Sequence, residues 1–242
     1  MDSYPLRYLP SGHIFIDPSD DCDRVVDAML ARAYSEEFCL ARDFEEDFIH
    51  RLMEAGFLVM SMELKDDVAG ETGDGEERFF ILLPKLHLVR SVLFFSELHV
   101  KKSIRPFLSR YELRVDTDFD LIIDRCISIH GSAWLTPPLV ETLKSLRRRR
   151  DIRAKPVSFG VYREGELKAG EFGVVLGRVY TSYSGYYEEA NAGTAQMILM
   201  TQWLQKTGFD FLDFGMPMDY KAGLGARDIA LGYFVELFRR AR

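Results

Sequence analysis

Residues 156–185 read PVSFGVYREGELKAGEFGVVLGRVYTSYSG, and this stretch decides the class of the fold. It is rich in valine, phenylalanine and tyrosine, which are residue types that strands favour. The Glu164-Gly165 pair predicts a tight turn between a first strand, PVSFGVYREG, and a second strand, ELKAGEFGVVLGRVYTSYSG. We therefore expect a β-sheet in this half of the chain.

Helices and further strands surround this stretch on both sides. A long helix is predicted from about Ala192 to Thr207, because apolar residues recur there at helical spacing and Gly208 follows as a stop signal. Strands are predicted at SVLFF (91–95), YELRVDT (111–117) and FDFLDFG (209–215). Helices are predicted at VKKSIRPFLSR (100–110) and DLIIDRCISIHG (120–131), and ALGYFVELFRR (230–240) is a terminal element. This mixture predicts the α+β class.

The N-terminal part has a pattern of its own. Helices are predicted from Cys22 to Tyr34 and from near Asp43 to Gly56. The strands FLVMSMEL (57–64) and RFFILLPKL (78–86) are predicted to pair, joined by an acidic, glycine-rich exposed turn or mobile loop over residues 65–78. We therefore divide the chain into a small N-terminal α/β domain, residues 1–86, and a larger domain, residues 87–242.

The net charge of −7 argues against a surface that binds nucleic acid by general attraction. Local cationic patches are still compatible with such binding. One comprises Lys101, Lys102, Arg105 and Arg110. The other is the run from Arg147 to Arg150 with Arg153 and Lys155. For the arginine run, a solvated helix end is the simpler interpretation, and a contact with an RNA backbone is the alternative.

Other classes of site find little support in the sequence. The cysteines, Cys22, Cys39 and Cys126, are far apart and lack CxxC spacing, which indicates buried reduced thiols. The five histidines are scattered without helical i, i+4 pairing, so we expect no metal site. We also expect no bound cofactor. No apolar run approaches the roughly 20 residues that a membrane span needs, and no signal-peptide pattern is visible. We expect a cytoplasmic protein.

Three stretches carry a resemblance to a known family. They are LHVKKSIRPFLSRYELRVDTDFDLIIDRCI (98–127), HGSAWLTPPLVETLKSLRR (130–148), and GELKAGEFGVVLGRVY (165–180) with FDFLDFGMPMDYKAGLGARDIALGYF (209–234). Over about Val89 to Phe238 the chain resembles the leucyl/phenylalanyl-tRNA–protein transferase family. The resemblance implies a small N-terminal domain joined to a GNAT-like acyltransferase domain. It also implies transfer of an aminoacyl group from tRNA to the α-amine of a protein beginning with Lys or Arg.

The same resemblance suggests the site residues. Asp213 matches the aspartate of the family's Leu-Ile-Asp strand and is the predicted catalytic residue, because the reaction moves a proton from the amine to the tRNA ribose. The alternative role for Asp213 is a hydrogen bond that pins the GMPMD loop. Trp134 is assigned to the substrate-binding wall or to the core, and Tyr180 and Tyr183 to a pocket floor. The tRNA phosphates are expected at Lys101, Lys102, Arg105 and Arg110.

Departures from the family pattern leave three functions open. Gly215 stands where the family has a glutamine, and Tyr183 stands where it has the glutamate that binds the cationic acceptor. The first function is therefore an aminoacyl-tRNA-dependent transferase of altered specificity that modifies a protein or peptide N-terminus. The second is an acyl-coenzyme A-dependent N-acyltransferase, for which NAGTAQ (191–196) offers a weak pyrophosphate-binding signal. The third is a non-catalytic binding module for a peptide terminus, RNA or protein.

Overall fold

The computed structural model describes residues 4–65 and 78–242. Most of the predicted acidic turn, residues 66–77, lies outside the described residues. The chain forms two compact units: residues 1–86 with 131–145, and residues 87–130 with 146–242. The sequence-based division at residue 86 assigned residues 131–145 to the larger domain, whereas in the structure this segment packs within the first unit.

The first unit contains two helices and a hairpin close to their predicted places. Its elements are β1 (Arg7–Tyr8), β2 (Ile14–Phe15), α1 (Cys22–Ala31), α2 (Glu46–Glu54), β3 (Leu58–Lys65), β4 (Arg78–Lys85) and most of α5 (Pro137–Arg148). The side chain of Asp21 accepts a hydrogen bond from the Arg24 N–H and so caps α1. The predicted pairing of the two long strands is confirmed, because β3 and β4 run antiparallel from Leu58–Lys85 onward.

The second unit is built on one large sheet. Its strands are β5 (Val89–Phe94), β6 (Glu112–Val115), β7 (Lys155–Arg163), β8 (Glu166–Leu176), β9 (Val179–Tyr187), β10 (Phe211–Asp213) and β11 (Arg227–Ala230). Its helices are α3 (Arg105–Leu108), α4 (Phe119–His130), α6 (Ala192–Lys206), α7 (Asp219–Gly223) and α8 (Leu231–Ala241). Within this fully described unit, the strand order is β11-β5-β10-β9-β8-β7-β6. Only β9 and β10 pair in parallel. The predicted α+β class is confirmed.

Two predicted elements differ from the structure. The stretch ELKAGEFGVVLGRVYTSYSG was predicted as one strand, but it is the hairpin of β8 and β9. Its turn is at Gly177, which has a positive φ of 55° and lies so close to Ala241 that a side chain would overlap the backbone there. The predicted helix at residues 100–110 is wrong in length, because α3 has only four residues, Pro106 among them. Proline lacks the N–H that a helix interior needs.

The sheet has two covered faces, which we call the α4 face and the α6 face. Ring contacts identify them: Phe172 of β8 packs against Phe119 of α4, and Phe159 of β7 packs against Trp203 of α6. Glu171 is paired with Phe159 and therefore shares the α6 face. Because neighbouring residues of a strand point to opposite sides, Phe172 and Glu171 are separated by the sheet.

All three cysteines are buried and free, as predicted. None of the helices within residues 4–65 and 78–242 combines the length and the apolar character that crossing a membrane requires.

Gly225 provides a test of close packing in the second unit. Its φ is +98°, and a Cβ atom there would overlap the carbonyl oxygen of Glu97. Gly208 has a similar φ of +88°, but a Cβ atom added to it would have no neighbour within 4 Å. We expect Gly208→Ala to lower the free energy of unfolding by about 1 kcal/mol through backbone strain. Gly225→Ala should cost roughly 1–3 kcal/mol more because of the overlap. If urea unfolding shows that both variants lose the same free energy of unfolding, the close approach of Gly225 to Glu97 is contradicted.

Candidate functional site

A buried ion pair lies at the C-terminal end of β10. The Arg90 Nη2 atom of β5 is 2.6 Å from Asp213 Oδ2, and both side chains have no solvent exposure. The same Oδ2 accepts a hydrogen bond from Thr181 Oγ1 (3.1 Å), and Oδ1 accepts from the Gly215 N–H (2.9 Å). The Arg90 guanidinium also stacks over the Phe234 ring at 4.2 Å. Asp213 therefore joins β5, β9, β10 and the following loop at one point.

The sheet opens next to this ion pair. β9 pairs with β10 only over Val179–Phe211, Tyr180–Leu212 and Thr181–Asp213, whereas β9 continues to Tyr187. The chain leaves β10 at Asp213 and turns through Gly215 into α7. A gap in the strand pairing therefore begins at Thr181, and we take this place as the candidate site.

Lys221 of α7 is buried beside the gap. Its Nζ atom donates hydrogen bonds to the carbonyl oxygens of Phe214 (2.7 Å) and Met216 (2.8 Å). Burial lowers the pKa of Lys221, and the nearby carboxylates of Asp213 and Glu171 oppose this effect. The ammonium thus fixes the loop that follows β10 and places a positive charge near two carboxyl groups.

Glu171 forms a second buried polar cluster, on the α6 face. Its side chain accepts hydrogen bonds from Tyr180 (2.9 Å to the hydroxyl), Ser182 and Gln196. These three donors are all neutral. Burial raises the pKa of Glu171, while the hydrogen bonds and the charge of Lys221 act in the opposite direction. Glu171 is therefore a buried carboxyl without a directly bonded cation in this cluster.

The structure separates the two tyrosines that we predicted to share a pocket floor. Tyr180 is fully buried on the α6 face, where its ring packs against Phe159 at 5.0 Å. Thr181, the next residue, bonds Asp213 and so points to the other face. Tyr183 is half-buried with its ring 6.1 Å from Phe172, on the α4 face. Asp213 and Tyr183 thus share one face, and Tyr180 lies on the other.

Trp134 lies in the first unit, in contrast to the other predicted site residues. It is half-buried, and its carbonyl oxygen accepts hydrogen bonds from the Ser61 N–H (2.9 Å) and the Ser61 hydroxyl (3.2 Å). These contacts fix the backbone at Trp134 against β3.

The first cationic patch is exposed and anchored near the loop after β10. Lys101, Lys102, Arg105 and Arg110 are all exposed. Just before them, the His99 N–H donates to the Leu224 carbonyl oxygen (2.8 Å), and Glu97 forms an ion pair with Arg227. Lys101, the first residue of the patch, therefore lies two residues after His99, which is bonded to the turn following α7.

The arginine run at the end of α5 is engaged differently. Arg147 bonds Asp116 (Nε to Oδ1, 3.1 Å), and Arg149 bonds Asp151 (Nη2 to Oδ2, 2.6 Å). Arg148 and Arg150 are exposed. Part of this run thus serves local ion pairs, as expected for a solvated helix end.

The start of α6 gives little support to coenzyme A binding. A pyrophosphate would need the N–H groups of the first turn and a favourable charge around them. Glu188 and Glu189 precede this turn, and a side chain at Gly193 would lie 3.0 Å from the Tyr187 ring. Within residues 4–65 and 78–242, no group of three or more His, Cys, Asp or Glu side chains is arranged to hold a metal ion.

Sequence reasoning missed Arg90, Glu171 and Lys221. Arg90 and Glu171 each interrupt an apolar strand, VRSVLF and KAGEFGVV, and a charge in such a strand is costly to bury without a partner or a task. The same pattern, a charged residue within an apolar strand, identified Asp213, so it could also have identified Arg90 and Glu171. Lys221 had no comparable signal, since it lies in the polar segment MDYKAG.

A double-mutant cycle tests the ion pair. Arg90→Met leaves the Asp213 carboxylate buried without its cation, so we expect the free energy of unfolding to fall by about 3–5 kcal/mol. In Arg90→Met with Asp213→Asn, the amide oxygen still accepts from Gly215 and no unpaired charge remains. The double variant should recover at least about 1 kcal/mol relative to the sum of the single effects in urea unfolding. Strict additivity would show that the two side chains do not stabilise each other.

The comparisons with known proteins agree with the resemblance. A family profile described as leucyl/phenylalanyl-tRNA protein transferase matches residues 92–239. The leucyl/phenylalanyl-tRNA–protein transferase of Pseudomonas putida (strain W619) is 34% identical over 152 residues, which are 61% of this chain and 66% of the relative. The chain thus matches about two thirds of that relative's length.

Solved structures of low sequence identity were also found. The C-terminal domain of a putative lysylphosphatidylglycerol synthetase from Agrobacterium fabrum is 12% identical, with a TM-score of 0.42, covering 91% of this chain and 73% of that one. A GCN5-related N-acetyltransferase from Kribbella flavida is 10% identical, with a TM-score of 0.38, covering 89% and 74%. The family assignment rests on the profile, which spans more than half of the residues. The chain belongs to the leucyl/phenylalanyl-tRNA–protein transferase family.

Proposed function

We propose that the protein is an aminoacyl-tRNA-dependent transferase that adds an amino acid to the N-terminal amine of a protein or peptide. The observation that carries the proposal is the link between two features of the second unit. The cationic patch follows His99, whose N–H donates to the Leu224 carbonyl oxygen at the end of α7. Lys221 of the same helix is bonded to the loop that borders the polar gap. A charged tRNA needs both, because its phosphates bind cations while its acyl end enters a site that excludes water.

In this proposal, Asp213 is a positioning residue. Its oxygen atoms already accept from Arg90, Thr181 and Gly215, and its side chain has no exposed surface. It therefore acts on the reaction by holding the loop that ends β10. Lys221 supports the same loop from its other end.

We also propose that the acceptor specificity differs from that of the family. Tyr183 shares the face of Asp213 but carries no charge, so it gives no electrostatic preference for an N-terminal Lys or Arg. Gly215 offers only its backbone groups at the position where the resemblance places a glutamine. Acceptors should therefore not be restricted to cationic N-terminal residues. Trp134 remains a proposed substrate-binding residue.

The decisive experiment is transfer of radiolabelled amino acids from a total charged-tRNA pool to peptides that differ in their first residue. We expect label on peptides with a free α-amine, including some without N-terminal Lys or Arg. N-acetylated versions of the same peptides are the matched control and should stay unlabelled. Absence of transfer from folded protein to every peptide would refute the proposal. Labelling from acyl-coenzyme A instead would favour the N-acyltransferase alternative.

The cationic patch predicts a particular salt dependence of tRNA binding. Each phosphate contact that is lost should reduce the slope of log affinity against log salt by about 0.7–0.9. We expect Lys101→Ala with Lys102→Ala to weaken binding and to reduce the slope by roughly one to two. Arg148→Ala with Arg150→Ala removes two exposed arginines from the other patch and should leave the slope unchanged. If only the variant with Arg148→Ala and Arg150→Ala binds tRNA more weakly with a smaller slope, tRNA binding belongs to the arginine run.

A further inference from the structure

We infer that Glu171 is the proton-accepting group of the site beyond β10. The inference deepens the proposed transferase function and rests on it. Glu171 lies on the α6 face. It has a role in the reaction that Asp213, on the other face, does not have.

The strands around Glu171 are built to make room for it. A side chain at Gly185, the residue paired with Glu171 on β9, would place its Cβ atom 2.9 Å from the Glu171 Cβ atom. A side chain at Gly173 would overlap the Thr181 carbonyl oxygen and would also lie 2.7 Å from the Tyr180 hydroxyl oxygen that bonds Glu171. Two glycines on neighbouring strands thus provide the space that the Glu171–Tyr180 pair occupies.

The position of Glu171 also connects it to the gap. Its partner Gly185 lies in the part of β9 beyond Thr181, where β10 no longer accompanies the strand. Gly185 is exposed, and the His130 ring is hydrogen-bonded to its carbonyl oxygen (Nε2 to O, 2.8 Å). A substrate amine that enters the gap over Gly185 therefore approaches the side of the sheet that carries Glu171.

The bonding of the two carboxyl groups separates their roles. Asp213 accepts from a guanidinium, a hydroxyl and a backbone N–H, so both of its oxygen atoms are already engaged by fixed groups of the fold. Glu171 is held by the neutral side chains of Tyr180, Ser182 and Gln196, whose hydrogen bonds lower its pKa by less than burial raises it. Burial raises the pKa of Glu171, which moves a carboxyl group toward the range in which general bases are effective.

The proposed step conserves atoms and charge. The neutral α-amine nitrogen attacks the carbonyl carbon of the aminoacyl ester, and a C–N bond forms. Glu171 takes the proton that the nitrogen must lose. The bond between the carbonyl carbon and the ribose oxygen then breaks, and the same proton passes from Glu171 to that oxygen. The carboxylate is regenerated with an amide and a free ribose hydroxyl as products.

Several titratable groups lie near enough to Glu171 to interact with its charge. Tyr180 of β9 bonds it directly, and the pKa of this phenol is raised well above its usual value by burial and by Glu171. Cys126 of α4 and the neighbours Tyr220 and Lys221 of α7 also interact with its charge. Helix α6 contributes Gln196, which does not titrate. Of these groups, only Lys221 carries a positive charge.

The test compares the pH dependence of transfer by wild type and by Glu171→Gln. The glutamine resembles the protonated acid, so kcat/KM of the two proteins should be similar at acidic pH. As Glu171 ionises, the wild-type advantage should grow to roughly 10²–10⁴-fold and then remain constant. Glu166→Gln is the control, since Glu166 is exposed on the same strand and pairs with Lys168. A ratio that does not change with pH would overturn the inference and leave Glu171 a structural residue.

Titration of the Glu171 carboxyl gives a readout that does not depend on activity. Carboxyl ¹³C NMR of glutamate-labelled protein, with Glu171→Gln to assign the signal, should show titration above the ordinary glutamate range. Because the folded pKa is raised, the native state holds this proton more tightly than the unfolded chain does. The stability of wild type relative to Glu171→Gln should therefore fall as pH rises through this window. Titration at or below the ordinary value would refute the inference even if transfer is never detected.

A second variant tests access to Glu171 without removing it. Gly185→Ala places a methyl group over the carboxyl side chain. We expect a lower kcat/KM with the rising pH dependence retained, because the base is still present but harder to reach. Unchanged transfer would show that substrate does not approach over Gly185. Wild type without any transfer would instead refute the proposed function, and the NMR titration would still decide the state of Glu171.

Discussion

The ion pair between Arg90 and Asp213 is the interaction on which the second unit depends. Burying two charges costs several kcal/mol per ion, and the cost is offset only if the geometry satisfies the remaining donors and acceptors. Here a hydroxyl and a backbone N–H donate to the carboxylate, and the face of Phe234 packs against the guanidinium. Because these groups come from β9, the loop after β10 and α8, loss of either charge would disturb several elements together.

The candidate site exists because the Arg90–Asp213 ion pair lies at the last residue of β10. β10 has three residues, whereas its parallel neighbour β9 has nine. Asp213 is the last residue of β10, and its bond to the Gly215 N–H starts the turn away from the sheet. The gap therefore begins at the residue that secures its edge. A longer β10 would pair with more of β9 and close the gap. Without the ion pair, the end of β10 that borders the gap would not be held in place.

Sequence patterns predicted the elements of this fold better than their arrangement. The apolar periodicity located α1, α2 and α6, and the strand-rich stretch located β7 and β8. The turn at Gly177 was missed because an isolated glycine in a strand also occurs at bulges, and the close approach of Ala241 is a tertiary contact. For the site, a lone acid in an apolar strand indicated Asp213. The sequence did not reveal that Arg90, 123 residues away, is its partner.

The faces of the sheet explain why two similar carboxyl groups have different tasks. Alternation along β8 and β9 could have been read from the sequence, but assigning a face requires knowledge of which helix covers it. Once α6 is placed, Glu171 belongs with Tyr180, and Asp213 belongs with Thr181 on the other side. One carboxylate is bonded to a fixed cation and shapes the loop. The other is surrounded by neutral donors, and only such a group can change its proton without breaking an ion pair that holds the fold.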